Sequence, residues 1–211
     1  MDTRNQVSAP DLATLGAGEE QLGVLTSNLS CVVFLSQFDD SGSAVTHAFV
    51  SHAAKRVLGV DAETIVRDPR ARFSTVIPED ASSLQTSLRK AAMDLQPWAA
   101  EFRVRVGGEV RWLEGHARFQ RLPDGSTSES AYWADITERK RLELERSALH
   151  ERFERLFDTA PQPIVITDAS GHIVAVNAAF TAFLGYEERD ISTLDAWFDR
   201  MFPDAAYRKL I

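Results

Sequence analysis

Between residues 98 and 135 the sequence takes up a period of two and holds it through three segments. Trp98, Ala100, Phe102, Val104 and Val106 share one face, with Glu101, Arg103 and Arg105 on the other, which is the pattern of a half-buried strand. Gly107-Gly108 follows as a hairpin signal, because adjacent glycines reach the positive φ of a tight two-residue turn. Residues 109–121 continue the alternation and set Leu113, Gly115, Ala117 and Phe119 against Trp112, Glu114, His116 and Arg118. A second turn cluster, Pro123-Asp124-Gly125-Ser126, returns the chain into a third strand that ends in Asp135. Three antiparallel strands with one apolar face require a layer to cover that face.

The covering layer lies upstream. Residues 31–35, Cys-Val-Val-Phe-Leu, read as a buried strand, and the turn cluster at 39–43 brings back a second strand at 45–50. Ser51 stands as the N-cap of a short helix at 52–58, which Gly59 stops. Another helical turn starts at 61–65. Pro78-Glu79-Asp80 opens a longer helix carrying Leu84, Leu88 and Met93, with proline in its first turn and acids at its positive end. This order predicts an α+β domain: a five-stranded antiparallel sheet with short helices on one face. The other face carries Trp112 and, in this reading, Trp133. It needs a cover from an N-terminal helix, from the helix leaving the sheet, or from a second copy of the chain.

The third strand turns abruptly into a charged helix. Asp135 and Glu138 stand three apart at the junction, the capping-box spacing in which Asp135 accepts from helical N–H groups and Glu138 reaches back. Trp133, Asp135, Thr137 and Glu138 are therefore the residues through which a change in the sheet would leave it. Along the helix Leu142, Leu149 and Leu156 are seven apart, with Arg139, Arg146 and Phe153 at the other seam position. Two arginines weaken such a seam, while Arg139/Glu143 and Arg141/Glu145 add support at i,i+4. A solvated connector and a dimer seam built from Trp112, Leu142, Leu149, Phe153 and Leu156 both stay open.

Beyond that helix the plan repeats. Residues 50–59 align with 176–185 at a constant offset, 185 − 59 = 126, and Ile65 maps to Ile191 at the same offset. Pro78 maps to Pro203 with one residue dropped, and 25–35 aligns with 157–167 at an offset of 132. Self-similarity over a whole order of elements means two copies of one domain. The expected organisation is a disordered lead at 1–18, a first domain with an N-terminal helix at 19–137, a linker helix at 138–156, and the opening part of a second domain at 157–211. The three closing strands of that second copy are missing, which reads as a longer protein cut inside its second domain.

Composition narrows the function. The 211 residues are 44% hydrophobic with a formal net charge of −8, which argues against a general nucleic-acid or anionic-membrane binder. No apolar run approaches a membrane span. One cysteine, Cys31, excludes an internal disulfide and fits a reducing compartment, so the expected location is cytoplasmic. Neither a phosphate loop nor a nucleophile triad nor a metal-binding helix is present. His150 with Glu151 has the start of a phosphoacceptor motif, but Arg152 and Phe153 follow in the wrong order.

These residues resemble tandem PAS sensor domains with their PAC segment. The first copy resembles the family at Phe49-Val50-Ser51, Leu58-Gly59, Ile77-Pro78-Glu79-Asp80, residues 101–105, Gly108-Glu109-Val110-Arg111-Trp112 and residues 135–140; the second at Phe157 to Pro161, 164–168, 171–177 and 184–186. The resemblance implies a ligand pocket between sheet and helices, lined here by Val33, Leu58, Phe73, Leu84, Phe102, Val104, Leu113, Phe119 and Tyr132. It also implies an effector downstream, a histidine kinase or a cyclic-dinucleotide enzyme. Flavin is disfavoured because Cys31 lies in the first strand without the flanking Asn and Arg of flavin-binding members, and haem because 81–96 contains no histidine. No cofactor is expected, and an unidentified small molecule remains open. The expected partners are a second copy, through the N-terminal or linker helix, and the effector, with no nucleic acid and no membrane. The functional expectation is a cytoplasmic sensory input region of a signal-transduction protein, with a ligand-free dimerisation scaffold as the other reading.

Overall fold

The computed structural model describes residues 30–39 and 45–202. The lead at 1–18, the expected helix at 19–29, the centre of the first hairpin turn and Pro203 lie outside the described residues. The chain divides into two compact units, Met1–Arg141 and Leu142–Ile211.

The first unit runs β1 (Cys31–Phe38), β2 (Val45–Val50), α1 (Ala53–Leu58), α2 (Ala62–Arg67), a 3-10 turn (Pro69–Phe73), α3 (Pro78–Asp94), β3 (Trp98–Val106), β4 (Glu109–Arg121) and β5 (Thr127–Asp135). The sheet order is β2-β1-β5-β4-β3, antiparallel throughout. The helical segment therefore carries the chain from one edge of the sheet to the other, and β5 closes the gap beside β1. This is the expected five-stranded α+β fold. Gly107 and Gly108 both have positive φ, 59° and 89°, as the β3–β4 turn demands.

The core sits between the sheet and the helices. Val57 and Leu58 of α1, Ile65 of α2 and Leu84 and Leu88 of α3 pack on Val32, Phe34, Phe102, Val104, Leu113 and Trp133. In α3, Pro78 occupies the first turn and Asp80 accepts the Arg103 N–H at 2.9 Å, anchoring the helix start to β3. Trp98 donates its indole N–H to the Ser87 hydroxyl at 3.0 Å, tying the far part of α3 to the same strand.

Two local expectations fail for one reason, a misplaced hydrogen bond. Ser51 does not cap α1. Its hydroxyl accepts the Val33 N–H at 3.0 Å while its own N–H donates to the Val33 carbonyl at 3.0 Å, so it extends the β1–β2 pairing. The helix accordingly begins at Ala53, with His52 in the cap position and no side-chain cap. Gly59 ends it in the left-handed conformation, φ 74°, as expected.

A parity error is larger in consequence. Along β1 Val32, Phe34, Ser36 and Phe38 are buried, and along β5 Thr127, Glu129, Ala131 and Trp133. Val33 and Tyr132 therefore face outward, and Trp133 inward, the reverse of the expected assignment. One residue of slip exchanges the faces of an entire strand. The apolar runs 31–35 and 131–134 carry no alternation from which parity can be read.

The helix after β5, α4 (Thr137–Thr159), is 23 residues long and has no buried residue. In the second unit β6 (Val165–Thr167) and β7 (Ile173–Val176) form a hairpin, followed by α5 (Ala178–Leu184), a 3-10 turn (Glu188–Asp190) and α6 (Leu194–Met201). Ile173, Phe180 and Ile191 make its small core, with Trp197 packed against them. Its hairpin reproduces the first one in register. Phe34↔Val50, Leu35↔Phe49 and Ser36↔His47 correspond to Val165↔Val176, Ile166↔Ala175 and Thr167↔Ile173, with the irregularity at the same step. The upstream offset is thus 165 − 34 = 131, one less than the sequence alignment had it. Asn177, the counterpart of Ser51, is fully buried. It accepts the Ile164 N–H at 2.8 Å and the Phe180 N–H at 2.9 Å, and donates to the Phe157 and Gln162 carbonyls at 3.0 and 2.9 Å.

Candidate functional site

The expected pocket residues are drawn together only in part. Leu58, Leu84, Phe102, Val104 and Leu113 are buried in one cluster, and Phe73 and Phe119 pack half-buried against it. Tyr132 instead stacks on His116 on the outer face, ring centroids 5.0 Å apart, with Val33 paired beside it. Trp133 takes the interior position. Its ring lies 4.9 Å from Phe102, 5.1 Å from Phe34 and 5.7 Å from Phe73, centroid to centroid. Gly115 is where β4 lets this ring in: a Cβ there would fall 2.7 Å from Trp98 and 2.9 Å from Trp133. Phe34, Phe73, Phe102 and Trp133 thus meet between the sheet and the helices.

Polar groups share that interior. Arg72, from the 3-10 turn, places Nη1 3.0 Å from Oε2 of Glu129 on β5, with both residues at 2% exposure or less. The guanidinium carbon is 4.7 Å from the Phe73 ring centre, 5.6 Å from Phe34 and 5.7 Å from Trp133. Beside it the Ser36 hydroxyl and His47 Nδ1 are 2.7 Å apart. Burial, and then the charge of Arg72, hold the His47 pKa down to about 3, so the ring is neutral at physiological pH. Glu129 Oε1 and His47 Nε2 are buried without a well-formed hydrogen bond. None of these four residues was expected. Arg72 lies in Asp-Pro-Arg-Ala-Arg-Phe (68–73) and Glu129 in Ser-Thr-Ser-Glu-Ser (126–130), stretches whose composition reads as surface turn. The signal that finds Glu129 is parity, since it lies two and four residues before Ala131 and Trp133.

The second feature is the strand-to-helix joint. Asp135 Oδ1 accepts the Thr137 N–H at 2.9 Å and the Thr137 hydroxyl at 2.5 Å. The Thr137 hydroxyl oxygen in turn accepts the Trp112 N–H at 3.0 Å, and Ile136 donates its N–H to the Trp112 carbonyl at 2.9 Å. Asp135 thus accepts the first helical N–H from one residue outside the cap position, which Ile136 holds, and neither half of the expected capping box forms. Glu138 does not reach back; it forks onto Arg141 at 2.9 and 2.6 Å, and that guanidinium holds its carboxyl below the usual range.

The first turn of α4 also lies on the outer face of the sheet. Arg139 reaches Glu101 at 3.0 Å and Glu114 at 3.2 Å, and Lys140 reaches Glu101 at 2.6 Å. Hydrogen bonding from Lys140, with Arg139 adding to it, depresses the Glu101 pKa. Lys140 and Arg103 stand 5.5 and 5.7 Å over the Trp112 ring, so this tryptophan is half-buried under cations. The other seam candidates are open: Leu142 is 52% exposed, Leu149 67%, Phe153 50% and Leu156 62%. An open cleft of about 730 Å³ adjoins the joint, lined by Ser30, Arg56, Val57, Arg111, Asp135 and Thr137 among others.

Other candidate chemistry is sparse. Burial raises the Cys31 thiol pKa, which favours the unreactive protonated form. Among the described residues no group of three or more His, Cys, Asp or Glu gathers as a metal site, and no helix is long and apolar enough to cross a membrane.

Strand order, short helices over one face and the exit through Asp135-Ile136-Thr137 give the first unit the PAS fold. A model of the PAS fold matches residues 47–130, and a PAS domain model matches residues 151–210, so PAS domains are recognised in both units. The flagellar brake protein YcgR of Leptothrix cholodnii is 31% identical over 115 residues, which cover 51% of this chain and 44% of that protein. The chain thus spans under half the length of that curated relative. Among solved structures, a sensory box histidine kinase/response regulator from Burkholderia thailandensis is 20% identical, with a TM-score of 0.46 over 64% of this chain and 99% of that one. The N-terminal domain of a diguanylate cyclase with PAS/PAC sensor from Marinobacter aquaeolei is 14% identical, with a TM-score of 0.43 over 52% of this chain and 98% of that one.

Proposed function

We propose that the first unit is a sensory input module, which passes a conformational change through the Asp135–Thr137 joint into α4 and on to a downstream effector. The observation that carries this reading is the hydrogen-bond chain from Trp112 through Thr137 to Asp135. It makes the start of α4 depend on the positions of two strands at once. The input is a small ligand or a protein, acting on a cytoplasmic protein in which a second PAS copy follows in tandem. The effector is of the histidine kinase or cyclic-di-GMP class, and the 31%-identical relative is a flagellar brake protein.

Trp133→Phe tests the relay on the whole chain, because it loosens the interior two residues before Asp135 without touching the joint. Amide hydrogen exchange at residues 137–141 is expected to quicken several-fold. Unchanged exchange there in a variant of measurably lower stability would overturn the relay. A second reading, a ligand-free dimerisation scaffold, is favoured by the filled interior and by the open stripe of Leu142, Leu149, Phe153 and Leu156. A concentration-dependent dimer that Leu149→Glu abolishes, with exchange at 137–141 insensitive to the interior, is its signature.

A further inference from the structure

Arg72 is held in the first unit as a bound cation is held in a receptor. Its guanidinium meets one carboxylate at 3.0 Å and three aromatic rings at 4.7 to 5.7 Å. Aromatic faces attract cations through their quadrupole, and more strongly when water is excluded. Two residues away, Arg70 is exposed, so burial is a property of the Arg72 position and not of the turn. The carboxylate is also underused. Guanidinium and carboxylate favour two parallel hydrogen bonds, yet only Glu129 Oε2 is engaged, and Oε1 is buried with no partner. The unsatisfied oxygen is a standing cost that an untethered guanidinium, free to lie flat against both oxygens, would remove.

We propose that this interior is a cation-recognition cage whose resting occupant is the chain's own Arg72, and that it takes a small organic cation with a guanidinium or amidinium head in place of Arg72. The inference rests on reading the first unit as an input module and supplies the ligand class for it. The internal occupant explains a filled interior in a sensor: Arg72 keeps Glu129 compensated until a competitor arrives. Release of Arg72 would free the turn Pro69–Phe73. Trp133, which forms one wall of the cage, lies on the strand that ends in Asp135, so the cage and the joint share an element.

The test uses the whole chain. Arg72→Ala vacates the cage, and methylguanidine is then titrated against methylurea, a neutral molecule of similar shape. Methylguanidine is expected to raise the melting temperature by several degrees, growing with the logarithm of its concentration. Methylurea should not, and the Arg72→Ala/Glu129→Gln double variant should respond to neither. Equal responses to the two molecules overturn the cage. Should Arg72→Ala fail to fold alone, chemical rescue decides: methylguanidine is expected to restore its cooperative unfolding transition where methylurea does not. Failure of methylguanidine to restore it overturns the ligand class. Hydrogen exchange at 137–141 in the same samples keeps the two readings apart. Saturable binding with unchanged exchange sinks the relay and leaves the cage, whereas absence of binding sinks the cage and leaves the relay to the Trp133→Phe measurement.

Discussion

His47 shows how far one residue's position can set a solution property. It is 3% exposed, bonded through Nδ1 to Ser36, and close enough to Arg72 for that charge to oppose its protonation. Its pKa falls from 6.5 to about 3 on folding, with burial the larger cause. The unfolded chain therefore takes up a proton below pH 6.5 that the folded chain refuses until about pH 3. Stability is unaffected above that window and declines as the pH drops through it, by at most about 1.4 kcal/mol per pH unit. Asp80, Glu101 and Glu138, whose pKa values are depressed by Arg103, Lys140 and Arg141 respectively, add their own loss of stability only at lower pH, where carboxylates protonate. Denaturant midpoints between pH 6.5 and 5 isolate the histidine. His47→Gln keeps a partner for Ser36 and cannot titrate, so its stability should be flat across that interval. A wild type equally flat would mean that His47 is protonated in place.

At the scale of elements, the joint between β5 and α4 carries the corresponding prediction. Asp135 engages both the N–H and the hydroxyl of Thr137, and through that hydroxyl it orients an acceptor for Trp112. Asp135→Ala should cost about 1 kcal/mol, because it removes the acceptor of the Thr137 N–H and hydroxyl, and deprotect the first turn of α4 in hydrogen exchange. Thr137→Val should deprotect the same amides, because it removes the hydroxyl on which both bonds depend. An Asp135→Ala protein with wild-type stability and a protected first turn would show that Asp135 does not hold the helix start. Although the cap fell on Ile136 and Glu138 turned to Arg141, the strand-to-helix turn at Asp135 was legible in the sequence because it is local, a matter of residue type and spacing over a few positions. The same holds for Gly107-Gly108, for Gly59 and for the element order. What stayed hidden depends on partners distant in the chain. The runs 31–35 and 131–134 are apolar on successive residues, so only pairing with each other and with β4 decides that Val32, Phe34 and Trp133 turn inward and Val33 and Tyr132 outward. The Arg72–Glu129 pair is 57 residues apart in sequence, and each half looks like a turn residue until the other is in place.

At the scale of the molecule, the two units offer an internal comparison. The β1–β2 and β6–β7 hairpins have the same register and the same irregularity, so their backbone hydrogen bonds are matched and differences in protection report packing. Among the described residues, the first hairpin belongs to a buried cluster of eighteen and has β5 on its other side, whereas the second rests on a cluster of three, Ile173, Phe180 and Ile191. A smaller set of buried apolar side chains returns less free energy against the cost of ordering the chain, and the Asn177 hydrogen bonds are the main local reinforcement of the second hairpin. Native-state hydrogen exchange should find the amides of Val165 and Ile166 opening at a much lower free energy than those of Phe34 and Leu35, as a separate cooperative unit. Mild proteolysis should in turn remove the second unit while the sheet of the first survives. If the two hairpins exchange with the same free energy and respond alike to denaturant, the units do not unfold separately, and the second is stabilised by more than the packing of its own residues.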